Sequence, residues 1–306
     1  MHLPPLYGAI EAGGTKFVCA VAREPQTLLA QTRIATTVPA ATLDAALAFF
    51  AQQEQIHGKI AGIGIASFGP VDLRKQSARF GYILDTPKAL WSQTDLVSPF
   101  AQRFHCPVSI DTDVNAAALA EARLGAGRGC DTLVYVTVGT GIGGGIFTHG
   151  HTHKGALHPE LGHIRVRRHP DDQDFKGTCP FHGDCLEGLA SGPAIQARYG
   201  AALDMLPAGH PAFAVIGDYL GQLAATLILL LAPQRILFGG GVMQQAALFP
   251  LLRVTTARLL NGYAGLGERT WLDQSVLPPA LGADAGIVGA MLLAHECTTQ
   301  PHQRTG

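Results

Sequence analysis

Two segments of the sequence share one pattern, in which a β-favouring run leads into a glycine-rich turn and a second β-favouring run. The segments are 7–21, with its turn at Gly13, and 132–147, with its turn beginning at Gly139. Each pattern predicts a β-hairpin. A helical pattern and a buried strand follow each hairpin along the chain, at 42–55, 60–67, 211–232 and 235–238. The repetition predicts a duplicated α/β unit with mixed sheets covered by helices.

Size and composition limit the class of protein. The chain has 306 residues, of which 47% are hydrophobic and 15% charged, with a net charge of −1. These values favour two folded lobes of roughly 100–200 residues and exclude intrinsic disorder. The charge is not that of a nucleic-acid-binding protein. The longest apolar run, near 223–232, is shorter than a membrane span, and residues 1–7 lack a signal-peptide pattern. We therefore expect a cytoplasmic protein with neither nucleic acid nor a membrane as partner.

Three glycine-rich turns follow predicted strands and are candidates for binding the phosphates of one nucleotide. Glycine allows backbone amides to approach an oxyanion closely. Taken singly, the first turn also fits an ordinary hairpin, and the third also fits close packing of strand and helix. The second turn contains G-x-G-x-x-G, but that dinucleotide fingerprint requires a helix to follow, and β-favouring residues follow here. The candidate phosphate-binding residues are Gly13, Gly14, Thr15, Lys16, Gly139, Thr140, Gly141, Gly143, Gly239, Gly240 and Gly241.

Acidic residues stand at two predicted strand ends. Glu11 ends the first strand, where a carboxylate can hold a hydrated Mg²⁺. Asp111, Asp113 and Asn115 follow another β-favouring run and precede an alanine-rich helical segment. One of these three can simply cap that helix. A carboxylate in the same place can also accept the proton of a sugar hydroxyl that attacks a phosphate.

The segment from 154 to 186 is rich in His, Pro, Asp and Gly and lacks a regular apolar period. Loops of this length in compact domains are usually functional. Cys179, His182 and Cys185 have metal-ligand spacing within it, and His163 completes a tetrahedral zinc set. The competing candidates for the fourth ligand are His151, His153, His158 and His169. A thiolate-bound metal fits a reducing cytoplasm.

Together these motifs resemble the ROK family of sugar kinases and repressors. The family pattern comprises a D-x-G-G-T-K turn, an N/D-D-x-N segment, a G-T-G-x-G-G-G turn, an E-x-G-H motif and a zinc cluster ending in C-L-E. The corresponding segments occur here in family order at 11–16, 112–115, 139–145, 160–163 and 185–187. Segments 11–21, 85–91 and 179–195 resemble the fructokinase branch, in which a histidine replaces one cysteine of the zinc cluster, as His182 does here.

The resemblance implies an actin-like ATPase domain fold, built from duplicated ribonuclease H-like α/β lobes with an interdomain cleft. It places a small lobe at 1–115 together with about 292–306. A large lobe occupies 116–291 and carries the zinc-binding loop at about 154–187.

The resemblance also implies a function: phosphorylation of D-fructose to D-fructose 6-phosphate with ATP, Mg²⁺ and Zn²⁺. Asp113 is then the general base, and Glu11 is a candidate Mg²⁺ contact. The implied sugar-binding residues are Asn115, Glu160, His163 and Glu187. The implied zinc ligands are His163, Cys179, His182 and Cys185.

Two alternatives remain within the family, and both are sugar-binding proteins. One is a kinase of glucose, mannose or N-acetylmannosamine. The other is a sugar-sensing regulator, which needs a DNA-reading domain, and the first phosphate turn begins too early in this sequence to leave room for one. The family tendency predicts a homodimer.

Overall fold

The computed structural model describes residues 3–299. It divides into two compact units, as far as they are described. Within the described residues, the first comprises 3–120, Thr152–His158 and 284–299, and the second comprises Glu121–His151 and Pro159–Ala283.

These units differ from the predicted lobes in three segments within the described residues. Residues 116–120 belong to the first unit, which extends to Ala120. Thr152–His158 belongs to the first unit, because Thr152 donates to Asp111 and His158 accepts from the backbone of Val71. The C-terminal part of the first unit begins at Asp284, because the last helix is continuous from Ala285. Residues 300–306 of the predicted small lobe lie outside the described residues.

The first unit contains a five-stranded mixed sheet. Its strands are β1 (Leu6–Ala12), β2 (Lys16–Glu24), β3 (Thr27–Ala35), β4 (Ile60–Ser67) and β5 (Val108–Thr112), in the order β3-β2-β1-β4-β5. β1 and β2 form the predicted hairpin, and β3 adds a further antiparallel strand. β4 and β5 run parallel to β1, so that the carboxyl ends of β1, β4 and β5 share one edge of the sheet.

Four helices begin in the first unit: α1 (Pro39–His57), α2 (Ser98–Phe104), α3 (Asp113–Leu124) and α9 (Ala285–Thr299). α1 packs against β2 and β3, and α9 packs against β1, β4 and β5. The buried side chains between sheet and helices include Ile10, Phe17, Phe50, Ile65 and Trp91. Burying each such side chain contributes about 1.5–3 kcal/mol to stability.

The second unit contains another five-stranded sheet. Its strands are β6 (Thr132–Val138), β7 (Ile142–Thr148), β8 (His151–Thr152), β9 (Arg235–Gly239) and β10 (Val276–Leu277), in the order β10-β9-β6-β7-β8. β6 and β7 form the second predicted hairpin, and β9 runs parallel to β6. In each sheet, one strand of the hairpin (β1 or β6) pairs with its hairpin partner on one side and with a parallel strand on the other. The predicted duplication is therefore confirmed.

The helices of the second unit are α4 (Leu186–Ala190), α5 (Gly192–Tyr199), α6 (Pro211–Leu231), α7 (Leu248–Leu260) and α8 (Arg269–Ser275). α6 and α7 pack closely because Gly217 and Gly221 of α6 face α7. A Cβ at either glycine would lie 2.6 Å from the Cβ of Leu251 or Thr255.

α6 is longer than the apolar run near 223–232 on which the sequence prediction was based. Within the described part of the chain, it is the one helix with the length and composition to cross a membrane. Its most apolar window has a mean hydropathy of 1.8, and 61% of that window is buried inside the protein. Side chains such as Tyr219, Leu220 and Leu223 belong to the core of the second unit, which is the usual place of such a helix in a globular domain.

Candidate functional site

The first glycine turn joins β1 to β2 at residues 13–16, named here the phosphate turn. The N–H of Gly13 donates to the carbonyl of Lys16 at 3.0 Å, which closes the turn. Gly14, Thr15 and Lys16 are exposed at its tip. The turn therefore presents backbone amides and one ammonium group to solvent, as binding of a phosphate requires.

The second and third glycine turns lie next to each other in the second unit. The second joins β6 to β7, and the third follows β9, which pairs with β6. A Cβ at Gly139 would lie 4.0 Å from the backbone nitrogen of Gly241. Gly240 has a φ of +92°, and a Cβ there would lie 2.4 Å from the carbonyl oxygen of Val138. A side chain at Gly240 is thus excluded by both backbone conformation and contact with β6.

Asp113 is the first residue of α3, directly after β5. The hydroxyl of Thr112 accepts a hydrogen bond from the N–H of Asn115 at 3.1 Å. Thr112 therefore caps the helix, a role that the sequence analysis had left to Asp111, Asp113 or Asn115. Asp113 is partly exposed, and its Oδ1 accepts from the N–H of Val114 at 2.8 Å.

Burial raises the pKa of Asp113 to about 6, and hydrogen bonds from the backbone act in the opposite direction. A carboxylate with this pKa is ionised at neutral pH and remains basic enough to accept a proton during reaction. The position and the pKa of Asp113 are compatible with its predicted role as general base.

Asp111 is fully buried behind this segment and accepts four hydrogen bonds or ion-pair contacts. Its Oδ1 accepts from the N–H of Thr112 and from the side-chain amide of Asn115, both at 2.8 Å. Its Oδ2 accepts from the hydroxyl of Thr152 at 2.7 Å and lies 2.9 Å from the ammonium of Lys154. Asp111 thus links the segment around Asp113 to residues 152–154, some 40 residues later in the chain.

Asn115 is fully buried, and its amide group is directed at Asp111. Its side-chain oxygen has no hydrogen-bond partner among the described residues. In this structure Asn115 therefore presents no surface to a sugar, and its contacts orient the first turn of α3.

Glu11 stands at the end of β1, in the same unit as Asp113. Burial raises the pKa of Glu11 to about 7, and the negative charges of Asp113 and Asp284 add to this, while Lys16 lowers it. A carboxylate held among other carboxylates in this way is stabilised by a cation. The electrostatics of Glu11 thus fit its predicted contact with Mg²⁺.

The four predicted zinc ligands come together in the second unit. The ligand atoms of His163, Cys179, His182 and Cys185 all lie within 4.8 Å of one another. Nδ1 of His163 is 3.5 Å from Sγ of Cys185 and 3.8 Å from Sγ of Cys179. The Sγ atom of Cys179 is in turn 3.6 Å from Nδ1 of His182. A tetrahedral zinc with bonds of about 2.3 Å to sulfur and about 2.1 Å to nitrogen separates such atoms by about 3.6 Å. The donor set therefore fits a closed tetrahedral metal site.

Of the competing histidines, two are engaged elsewhere. Nε2 of His158 accepts from the N–H of Val71 at 3.1 Å, within the first unit. Nδ1 of His169 accepts from the N–H of Asp171 at 3.2 Å. Among the described residues, His163 is the histidine that joins His182 and the two cysteines.

A buried ion pair fixes the loop that carries these residues. Nε of Arg198 in α5 lies 2.9 Å from Oδ1 of Asp172, and its guanidinium stacks 4.1 Å from the ring centre of Phe175. The hydroxyl of Tyr219 in α6 donates to Oδ2 of Asp172 at 2.6 Å. Contacts with two helices thus hold a loop that has little secondary structure of its own.

Three of the predicted sugar-binding residues lie in or next to this cluster of potential metal ligands. Nε2 of His163 is turned away from the sulfurs and lies 4.0 Å from a carboxylate oxygen of Glu160. Oε2 of Glu187, two residues after Cys185, accepts from the N–H of Ile142 at 2.9 Å. The cluster and the second glycine turn are therefore joined through one carboxylate.

A protein-family model matches nearly the whole of this sequence. It matches residues 7–297, and it is the model of the ROK family. This chain belongs to the ROK family.

Relatives with assigned names agree with this membership. A fructokinase from Zymomonas mobilis subsp. mobilis is 47% identical over 292 residues, which cover 94% of this chain and 96% of that protein. A glucokinase from Streptomyces coelicolor is 27% identical over 325 residues, with 94% and 96% covered. The crystal structure of a ROK family glucokinase from Streptomyces griseus in complex with glucose and AMPPNP has a TM-score of 0.72 at 28% identity, over 95% of this chain and 99% of that one. The predicted actin-like ATPase fold is thereby confirmed.

Sequence patterns did not predict the contacts of three acidic residues of this ROK chain, of which two are buried and one, Asp284, is exposed. Asp111 was considered as a helix cap or as a proton-accepting carboxylate, and its role as a buried acceptor for Thr112, Asn115 and Thr152 was not predicted. Glu121 is fully buried and accepts from the N–H groups of Ala126, Ala280 and Leu281. Asp284 contributes to the electrostatics of Glu11. An acidic residue inside an apolar helix, as Glu121 is in α3, was the available signal.

Proposed function

We propose that this ROK protein transfers the γ-phosphoryl group of ATP to O6 of D-fructose, giving ADP and D-fructose 6-phosphate. The observation that carries the choice of reaction is its 47% identity to a fructokinase over 94% of the chain. The same coverage gives only 27% identity to a glucokinase. Fructose is therefore favoured over glucose as acceptor.

Asp113 is the general base of the proposed reaction. It accepts the proton of the fructose O6 hydroxyl as that oxygen attacks the γ-phosphorus, and the bond to the β-phosphate oxygen breaks to release ADP. Its raised pKa supports this role, because the base must be ionised at neutral pH and still have proton affinity.

The phosphates are bound by backbone amides of the glycine turns and by the ammonium of Lys16. Phosphoryl transfer depends mainly on positioning and on neutralisation of charge, which such groups supply. Mg²⁺, when bound near Glu11, neutralises phosphate charge. The convergence of acidic groups on Glu11 supports that location.

Zn²⁺ is the proposed occupant of the cluster of His163, Cys179, His182 and Cys185. A closed tetrahedral site of this kind is structural and leaves no position for substrate. When bound, the ion supplies rigidity to the loop. His163 then keeps a fixed ring orientation in which Nε2 is directed outward, and Glu187 is held two residues from a ligand. Both side chains, together with Glu160, are proposed to bind fructose hydroxyls.

The proposal also covers the location, the partners and the oligomeric state of the enzyme. The named relatives are sugar kinases, which supports a cytoplasmic location and partners limited to ATP and sugar. A homodimer is proposed, and light scattering that gives the mass of one chain over a wide concentration range would contradict it.

The experiment that tests the substrate is an ATP-coupled assay with fructose, glucose, mannose and N-acetylmannosamine, with phosphorus NMR to identify the product. We expect kcat/KM for fructose to exceed that for every other sugar by at least about tenfold, a difference that hydrogen-bonding pockets readily produce. A higher value for another hexose would favour the kinase of that sugar. Binding of sugars without phosphorylation of any would favour a sugar-sensing regulator.

A further inference from the structure

The phosphate turn is held in place by one buried residue, Thr36, which directly follows β3. The N–H of Thr36 donates to the carbonyl of Thr15 at 2.9 Å, and its hydroxyl donates to the carbonyl of Gly13 at 2.7 Å. Thr36 is 8% exposed, so neither bond is replaced readily by water. Thr36 therefore holds two carbonyl groups of the turn, those of Gly13 and Thr15, through its hydroxyl and its backbone N–H.

The segment 85–91 contacts Thr36 and its neighbour from the other side. The ammonium of Lys88 lies 3.4 Å from the carbonyl oxygen of Thr36. The indole N–H of Trp91 donates to the carbonyl of Thr37 at 2.8 Å. This is one of the three segments whose sequence resembles the fructokinase branch. Lys88 and Trp91 both contact the residues that support the phosphate turn.

Trp91 also packs against the residues on both sides of the phosphate turn. It is fully buried, and its ring lies 5.4 Å from that of Phe17 and 5.8 Å from that of Phe68. Phe17 directly follows the turn. The N–H of Phe68 donates to the carbonyl of Ala12, directly before the turn, at 2.8 Å. The indole therefore fixes the two strand ends from which the turn projects.

We propose that Thr36 is a positioning residue for the phosphate turn, and that Lys88 and Trp91 support it through their contacts with the carbonyls of Thr36 and Thr37. The inference rests on the proposed function in one respect, that the phosphate turn binds a phosphate group of ATP.

The test compares Thr36→Val with the wild-type protein. Valine keeps the shape of threonine and removes only the hydroxyl that donates to Gly13. We expect the Kd for MgADP, measured by calorimetry, and KM for ATP to rise about two- to tenfold, the effect of losing one buried hydrogen bond. KM for fructose and the fructose-to-mannose ratio of kcat/KM are expected to stay within about twofold. Thr36→Ser restores the hydroxyl and is expected to restore nucleotide affinity.

Two further variants complete the design. Trp91→Phe keeps an aromatic ring and removes the N–H that donates to the carbonyl of Thr37. We therefore expect the Kd for MgADP and KM for ATP to rise, as for Thr36→Val. Thr27→Val, at an exposed position at the start of β3, is the matched control and is expected to leave all constants unchanged. Thermal melting of each variant separates loss of positioning from loss of folding.

The result that overturns the inference is a folded Thr36→Val protein with unchanged MgADP affinity, or a change in the fructose-to-mannose ratio as large as that in KM for ATP. Lys16→Ala distinguishes this from failure of the proposed function. If Lys16→Ala weakens MgADP binding and Thr36→Val does not, only the role of Thr36 is refuted. If neither variant weakens binding, the phosphate turn itself is not a nucleotide site.

Discussion

The carboxylate of Glu187 accepts a hydrogen bond from the N–H of Ile142, with 2.9 Å between Oε2 and N. Ile142 is the first residue of β7, at the end of the second glycine turn, and Glu187 lies two residues after Cys185, at the end of the predicted zinc-binding loop. A Cβ at Gly141 would lie 2.6 Å from the same carboxylate oxygen. The absence of a side chain at Gly141 is therefore what allows the proposed sugar-binding loop and the proposed phosphate-binding turn to meet.

Gly141→Ala tests this contact. The added methyl group displaces the carboxylate of Glu187 and breaks its hydrogen bond with Ile142, a bond to a charged group worth about 1.5–3 kcal/mol. We expect KM for fructose to rise about tenfold or more and the free energy of unfolding to fall by an amount within that range. Glu187→Gln, which keeps an acceptor for Ile142, is expected to retain the stability. A Gly141→Ala protein with wild-type stability and KM would contradict the prediction.

The pH dependence of activity tests the environment of Asp113. Burial raises the pKa of Asp113 to about 6, and only the ionised form accepts a proton. We therefore expect kcat/KM to fall about tenfold per pH unit below pH 6, whereas an ordinary aspartate would sustain activity to about pH 4. The measurement is a pH profile from 4.5 to 8 with circular dichroism at each pH. A flat profile down to pH 5 in folded protein would be inconsistent with this assignment.

Glu11 provides an internal control for that profile. Its pKa of about 7 arises from burial and from neighbouring negative charges. A bound cation lowers the pKa of a carboxylate that it contacts. A limb of the profile that belongs to Glu11 should shift to lower pH as the Mg²⁺ concentration rises, whereas the limb that belongs to Asp113 should shift less.

Removal of the metal tests the cluster around Cys179. We expect one Zn²⁺ per chain by elemental analysis, and a rise in KM for fructose of about 10–100-fold after chelation, since metal-organised side chains lose their orientation. Cys179→Ser should reproduce this effect, and Cys130→Ser, a cysteine outside the cluster, should not. Unchanged kinetics in protein proven free of metal would show that the cluster does not organise the sugar site.

Glu121→Ala tests the buried carboxylate in α3. Glu121 is the acceptor for three backbone N–H groups, two of them in the segment that follows β10. Each buried donor left without a partner costs about 1–3 kcal/mol. We expect the free energy of unfolding to fall by about 3 kcal/mol or more in urea denaturation. The control is Glu24→Ala, at the exposed end of β2, which should change it by less than about 0.5 kcal/mol.

Local pattern was sufficient to predict several elements. Both hairpins formed, β4 has the predicted bounds, and α6 ends one residue before its predicted end. Alternation of apolar residues and the position of glycine determine these features within a few residues of sequence. The clustering of potential metal ligands was also predicted, because Cys179, His182 and Cys185 lie within seven residues of one another.

Features that depend on distant contacts were not predictable from pattern. Thr152 and Lys154 join Asp111 across 41 and 43 residues, and this contact places segment 152–158 in the first unit. The cap of α3 is Thr112, since the backbone geometry after β5 points its hydroxyl at the N–H of Asn115. Such choices among neighbouring polar residues depend on tertiary packing, which a single sequence does not display.

The most direct test of the account is steady-state turnover of fructose and ATP by Asp113→Asn. The substitution preserves size and an acceptor for the N–H of Val114 while removing the base. We expect kcat to fall by about 10²–10⁴-fold or more, with the melting temperature and the Kd for MgADP close to those of the wild type. Turnover near the wild-type rate by a folded Asp113→Asn protein would contradict it.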